Sequence, residues 1–135
     1  MREVEVTKFV SARPDEVRRA LTPEALVEAE GTFAVSAVEE TDEGTVVTAS
    51  GPGMAVPLRF ESLEDGLAYT AEGEVGPFDH LETAVTVAPK NEGSEVTARS
   101  TVSLNAPLPF ADRIAAWKRR GELERAVEAL ADEGL

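Results

Sequence analysis

Four hydroxyls, on Ser62, Tyr69, Thr83 and Ser100, form the arrangement in this 135-residue chain that most resembles recognition chemistry. Each falls on the same face of an alternating, strand-like segment. A hairpin closed at Asn91-Glu92 sets Thr83 opposite Ser100 and Val85 opposite Ala98. One closed at Asp65-Gly66 sets Phe60 opposite Ala71 and Ser62 opposite Tyr69, and the looser Gly76-Pro77 connection allows Tyr69 to lie beside Thr83. The four hydroxyls then cross one wall in a row, among Leu58, Phe60, Leu81, Val85 and Val102. Small-molecule cavities have this composition, mostly apolar with a few convergent polar groups that orient the ligand. Hydroxyls so placed also satisfy one another or a buried water, and that alternative stays open.

Other reactive groups are sparse. Asp79-His80-Leu81-Glu82 sets the single histidine and Glu82 on one strand face, a pairing suited to a metal or to acid–base work, but alternation makes that face the outer, solvated one. No Gly-x-Ser-x-Gly elbow, phosphate loop or dinucleotide fingerprint occurs, and there is no cysteine. No catalytic residue, metal site or cofactor is assigned. A basic cluster, Arg113, Lys118, Arg119, Arg120 and Arg125, reads as a solvated face more readily than as an anion site.

Twenty Glu and six Asp against ten Arg and three Lys give a net charge of -13. Nucleic acid is disfavoured as a partner, because its binding depends on cations that neutralise phosphates. Lysine poverty, twenty alanines, sixteen valines and one isoleucine resemble the halophilic pattern, in which high salt screens self-repulsion.

The elements that must position these groups are set off by turns at Asp42-Glu43-Gly44, Gly51-Pro52-Gly53, Glu64-Asp65-Gly66, Gly76-Pro77 and Asn91-Glu92-Gly93. Between and beside them, strands are expected over Glu3 to Val10, Thr32 to Glu40, Thr45 to Ser50, Met54 to Ser62, Leu67 to Val75, His80 to Ala88 and Ser94 to Leu104. Pro14 followed by Asp15-Glu16 starts one short helix; Thr22-Pro23 starts a second that stops at Gly31. Pro109 to Asp132 has the length and composition of a long helix. The alternating start, Met1-Arg2-Glu3-Val4-Glu5, is strand-like and unlike a signal peptide, and no run suits a bilayer span, so a cytoplasmic protein is expected.

That last helix carries two apolar stripes. Leu123, Val127 and Leu130 define one; Phe110, Ile114 and Trp117 define another about half a turn away. A straight helix cannot bury both on one sheet. Either it bends near Gly121, or the aromatic stripe covers a loop, a ligand portal or a second subunit, so a homodimer stays open.

Val4-x-Val6-x-Lys8-x-Val10-x-Ala12-x-Pro14-x-x-Val17-x-x-x-Leu21-Thr22 resembles the opening of the START-like, Bet v 1-like (SRPBCC) superfamily, which includes polyketide cyclases and coenzyme Q-binding proteins. Glu122-Leu123-Glu124-Arg125-Ala126-Val127-Glu128-Ala129-Leu130 is similar to its closing helix. The resemblance implies an α+β helix-grip fold over residues 1–135. A curved antiparallel sheet of about seven strands would wrap the long C-terminal helix, with two short helices between strands one and two. It also implies a cavity for a hydrophobic or amphipathic small molecule. Leu58, Phe60, Tyr69, Leu81, Thr83, Val85, Ser100 and Val102 are the expected wall, with Phe110, Ile114 and Trp117 over it. The alternatives are a cyclase- or aromatase-like enzyme using Tyr69 and His80, and a non-catalytic dimerising module whose cavity is filled by side chains.

Overall fold

The computed structural model describes residues 2–71, 78–104 and 110–133. Chain order is β1 (Arg2–Val10), α1 (Pro14–Ala20), α2 (Pro23–Glu30), β2 (Ala34–Thr41), β3 (Gly44–Gly51), β4 (Met54–Leu63), β5 (Gly66–Ala71), β6 (Phe78–Lys90), β7 (Gly93–Leu104) and α3 (Ala111–Glu133). The seven strands form one antiparallel sheet ordered β1-β7-β6-β5-β4-β3-β2, with α3 packed mainly on β1 and β7 and α2 beside it. Hence the expected α+β architecture is the one observed.

Local chemistry explains the element ends. Pro14 and Pro23 occupy the first helical turns, where a missing N–H costs nothing, and Asp15, Glu16 and Glu24 face the positive ends of the dipoles. The Thr22 hydroxyl caps α2 by accepting from the Ala25 N–H at 3.2 Å, and Gly31 ends it in the left-handed conformation at φ 83°. Asn91 and Glu92, at φ 47° and 68°, form a tight turn whose twist suits the flanking strands. It closes the hairpin in the expected register, with Thr83 opposite Ser100 and Val85 opposite Ala98.

The β4–β5 register differs from expectation. Phe60 pairs with Tyr69, Ser62 with Leu67 and Leu63 with Gly66, so the turn is Glu64-Asp65 and Gly66 is the first strand residue. The reason lies across the sheet: a Cβ on Gly66 would stand 1.9 Å from the Val85 carbonyl oxygen. This glycine serves a close approach of two backbones instead of a turn conformation. The shift keeps inner residues facing inner residues but takes Ser62 out of the row and exposes it. Residues 72–77, including the Gly76-Pro77 connection and the expected end of β5 at Val75, and Pro109 lie outside the described residues.

Inner-face positions read from alternation are buried as a set: Val56, Leu58, Phe60, Leu67, Tyr69, Leu81, Val85, Val87, Val96, Ala98 and Val102. They meet Leu123, Ala126, Val127 and Leu130 of α3 and Leu26 and Val27 of α2 in one core. Among the described residues, no helix is long and apolar enough to cross a membrane.

Candidate functional site

Tyr69, Thr83 and Ser100 lie side by side on β5, β6 and β7, and each is at most 3% exposed. Three of the four expected hydroxyls therefore form a row, with Phe60 in the place expected for Ser62. The Phe60 ring packs against Tyr69 at 4.9 Å between centroids, tilted 46°, which helps fix the direction of the phenol.

The row faces Arg119 of α3. Sequence reasoning grouped this residue with a basic, solvated cluster; the structure buries it to 4% exposure. Its helix face explains the correction. Ala111, Arg119, Leu123, Ala126 and Leu130 recur at near-helical spacing and are all buried, with half-buried Ala115 between them. One continuous face thus meets the sheet along the helix, and no bend at Gly121 is needed to reconcile two stripes. Phe110, Ile114 and Trp117 lie about half a turn away, on the opposite side of the helix, and are 60, 64 and 78% exposed. They do not pack into the core.

Glu30 completes the centre. The last residue of α2, it shares a buried face with Leu26 and Val27, one turn earlier. Its backbone carbonyl accepts from Arg125 Nε at 2.8 Å, tying the end of α2 to α3. Its carboxylate accepts from the Tyr69 hydroxyl at 2.8 and 2.9 Å and from Arg119 Nη1.

Every N–H of the guanidinium has an acceptor. Nε donates to Ser100 Oγ at 3.0 Å; Nη1 donates to Glu30 and, at 3.3 Å, to Glu122 Oε1; Nη2 donates to Tyr69 Oη and, at 2.7 Å, to Thr83 Oγ1. That accounts for all five donors an arginine has. The two β hydroxyls bond each other at 2.9 Å, and Ser100 Oγ also donates to the Glu82 carbonyl at 3.0 Å.

Electrostatics follow from burial. Loss of water alone would lower the Arg119 pKa, but Glu30, Tyr69 and Glu122 more than offset this and hold it above its ordinary value, so the guanidinium stays charged. Burial pushes Tyr69 up, leaving a neutral phenol that donates. Burial holds Glu30 above its ordinary value, with the nearby Glu122 charge adding to this, while Arg119 and Tyr69 pull against it. All the side-chain contacts just described for the Glu30 carboxylate are donors aimed at it, the environment of an ionised group.

The space left here is small. An interior cavity of about 30 Å³, room for a water molecule or two, is lined by Leu58, Tyr69, Leu81, Glu30, Arg119 and Glu122 among others. A second, mostly apolar pocket of about 220 Å³ opens beside the first half of α3, walled by Phe33, Met54, Val102, Leu104, Ile114 and Ala115. Phe33, Arg119 and Glu122 border both. Of the other expected wall residues, Phe60 borders an opening near Thr22 and Leu67, and Val85 is fully buried. Thr83, Ser100, Phe110 and Trp117 border neither the cavity nor the apolar pocket. His80 lies on the opposite sheet face from Tyr69, its Nε2 3.6 Å from Glu82 Oε1, so the two acid–base candidates cannot flank one substrate.

A START superfamily protein from Mycobacterium smegmatis superposes with a TM-score of 0.75 at 12% identity, covering 96% of this chain and 94% of that one. This chain has the START-like, Bet v 1-like fold. TTHA0849 from Thermus thermophilus superposes at TM-score 0.73 and 21% identity over 98 and 97% of the two chains. Ara h 8.0201 superposes at TM-score 0.62 and 16% identity, over 97 and 98%. No family model matches the sequence, and no curated protein does. The START-like likeness is thus one of fold, and what the pocket does rests on its own residues.

Proposed function

We propose that this domain binds a compact apolar or amphipathic molecule, for transport or sequestration, in the pocket beside the first half of α3. The observation that carries this reading is the pocket of about 220 Å³, with aliphatic and aromatic walls and a floor of Arg119 and Glu122. A dry apolar cavity of about 150 Å³ holds benzene, so this one suits a somewhat larger ring or a short branched chain. The START-like fold supports the reading only by analogy.

Ligand-observed NMR with methylcyclohexane tests it. Saturable binding is expected, and Ala115→Leu, which places bulk in the pocket wall, should abolish it while the variant stays folded. Absence of saturable binding to the natural sequence, or an undiminished response in Ala115→Leu, would sink the proposal.

A second reading is favoured by a different observation: the interior is nearly filled, while Phe110, Ile114 and Trp117 stand exposed along one face of α3. On that reading the domain is an association module. Failure to bind ligand, together with self-association that Trp117→Ser removes, would select it.

A further inference from the structure

We infer that Glu122 is the polar recognition point of the pocket and that the occupant is a compact apolar amine, bound as its ammonium. The inference rests on the reading that the pocket takes a small molecule, and it names the class. Arg119 is the obvious partner for a ligand carboxylate, but its five donors are spent on Glu30, Glu122, Tyr69, Thr83 and Ser100. Tyr69 donates to Glu30, and Ser100 to the Glu82 carbonyl, so the hydroxyl row is closed as well. An anionic end reaching this floor would have to break an existing bond.

Glu122 is the exception. It is 8% exposed, borders both the pocket and the interior cavity, and takes one long hydrogen bond, 3.3 Å from Arg119 Nη1. A carboxylate accepts several hydrogen bonds, so acceptor capacity remains where the apolar walls converge. Charge points the same way. One guanidinium faces two carboxylates, Glu30 and Glu122, leaving the floor one negative charge in excess when both are ionised. An incoming ammonium balances that excess and a carboxylate doubles it. Lys118, the pocket's other cation, is solvent-exposed, so its charge is screened by water. Phe33 adds an aromatic wall near the same floor.

Isothermal titration with four ligands of one shape tests this: cyclohexylmethylamine, cyclohexylmethanol, methylcyclohexane and cyclohexanecarboxylate, in about 0.15 M salt to screen the acidic surface. The amine should bind about tenfold or more tighter than the alcohol, and the carboxylate should bind weakest. Glu122→Gln keeps an acceptor for Arg119 and should bring the amine down to the alcohol's affinity while methylcyclohexane binds as before. The ranking on the natural sequence needs no variant. A carboxylate that binds as well as the amine, or an amine preference that survives Glu122→Gln, overturns the inference. If hydrocarbon and alcohol bind with no amine preference, the pocket reading stands and the inference falls; if none of the four binds, both fall.

Discussion

Around Leu123, Val127 and Leu130, α3 meets the sheet through aliphatic side chains, each at most 4% exposed; one turn earlier, on the same helix face, it meets the sheet through the guanidinium of Arg119. The first contact is non-directional and divisible, since each methylene buried contributes roughly 0.8 kcal/mol whatever its neighbours do. The second is directional and shared. Five donors, two carboxylates and three hydroxyls bond to one another, and removing one leaves its buried partners short of a bond. The fold can therefore be altered piecemeal at the first contact and only as a unit at the second.

The polar half should be the more sensitive of the two. Arg119→Met leaves Glu30 buried without its cation and should cost about 3–5 kcal/mol in urea unfolding, a large share of the roughly 5–15 kcal/mol that holds an ordinary domain. Adding Glu30→Gln to that variant should restore part of the loss, because the stranded charge goes with it. A single variant within about 1 kcal/mol of the natural sequence would show the cluster to be loosely coupled.

The apolar half should behave differently. Leu123→Ala removes a fully buried side chain and is expected to cost about 2–5 kcal/mol. Leu130 stands seven residues on, about 10 Å along the helix. The losses from Leu123→Ala and Leu130→Ala should therefore add to within about 0.5 kcal/mol. Strong non-additivity would erase the contrast between the halves.

The same contrast decides what could be read in the sequence. Alternation exposed the sheet's inner face because burial there follows a period of two, and the Asn91-Glu92 hairpin fixed its register through turn geometry. The stripe of Leu123, Val127 and Leu130 was visible for the same reason. Arg119 and Glu30 were not, because a charged residue at a core-facing position looks like a surface residue until its partner is known. A signal existed. Glu30 follows Leu26 and Val27 at helical spacing, and Arg119 lies on the face shared by Ala115 and Leu123; a carboxylate and a guanidinium each on an apolar face call for one another. The aromatic residues drew attention instead, and Phe110, Ile114 and Trp117 are the exposed ones. Gly66 misled for a related reason: a glycine beside Asp65 suggests a turn, while the constraint that demands it comes from β6, about twenty residues away.

A small effect is expected at the outer end of the polar half. Asp112, in the first turn of α3, accepts the Leu104 N–H at 2.9 Å and so links the helix start to the end of β7. That hydrogen bond, with lesser help from nearby positive charge, holds its carboxyl below the ordinary aspartate value of 3.8. A carboxylate whose pKa is lower in the folded than in the unfolded chain binds fewer protons when folded. Its contribution to stability is therefore fully present above the ordinary value and is lost as pH falls through the folded one. Asp112→Asn keeps an oxygen for Leu104 but removes the charge and its titration. The natural sequence should exceed the variant by a constant small margin from neutral pH down to about pH 5, and the margin should shrink as the medium becomes more acid. Urea midpoints for both chains, at fixed ionic strength, measure that margin while the other carboxylates cancel between them. A margin that stays level in acid, or widens, would mean that Asp112 acts through its shape alone and that the start of α3 owes nothing to its charge.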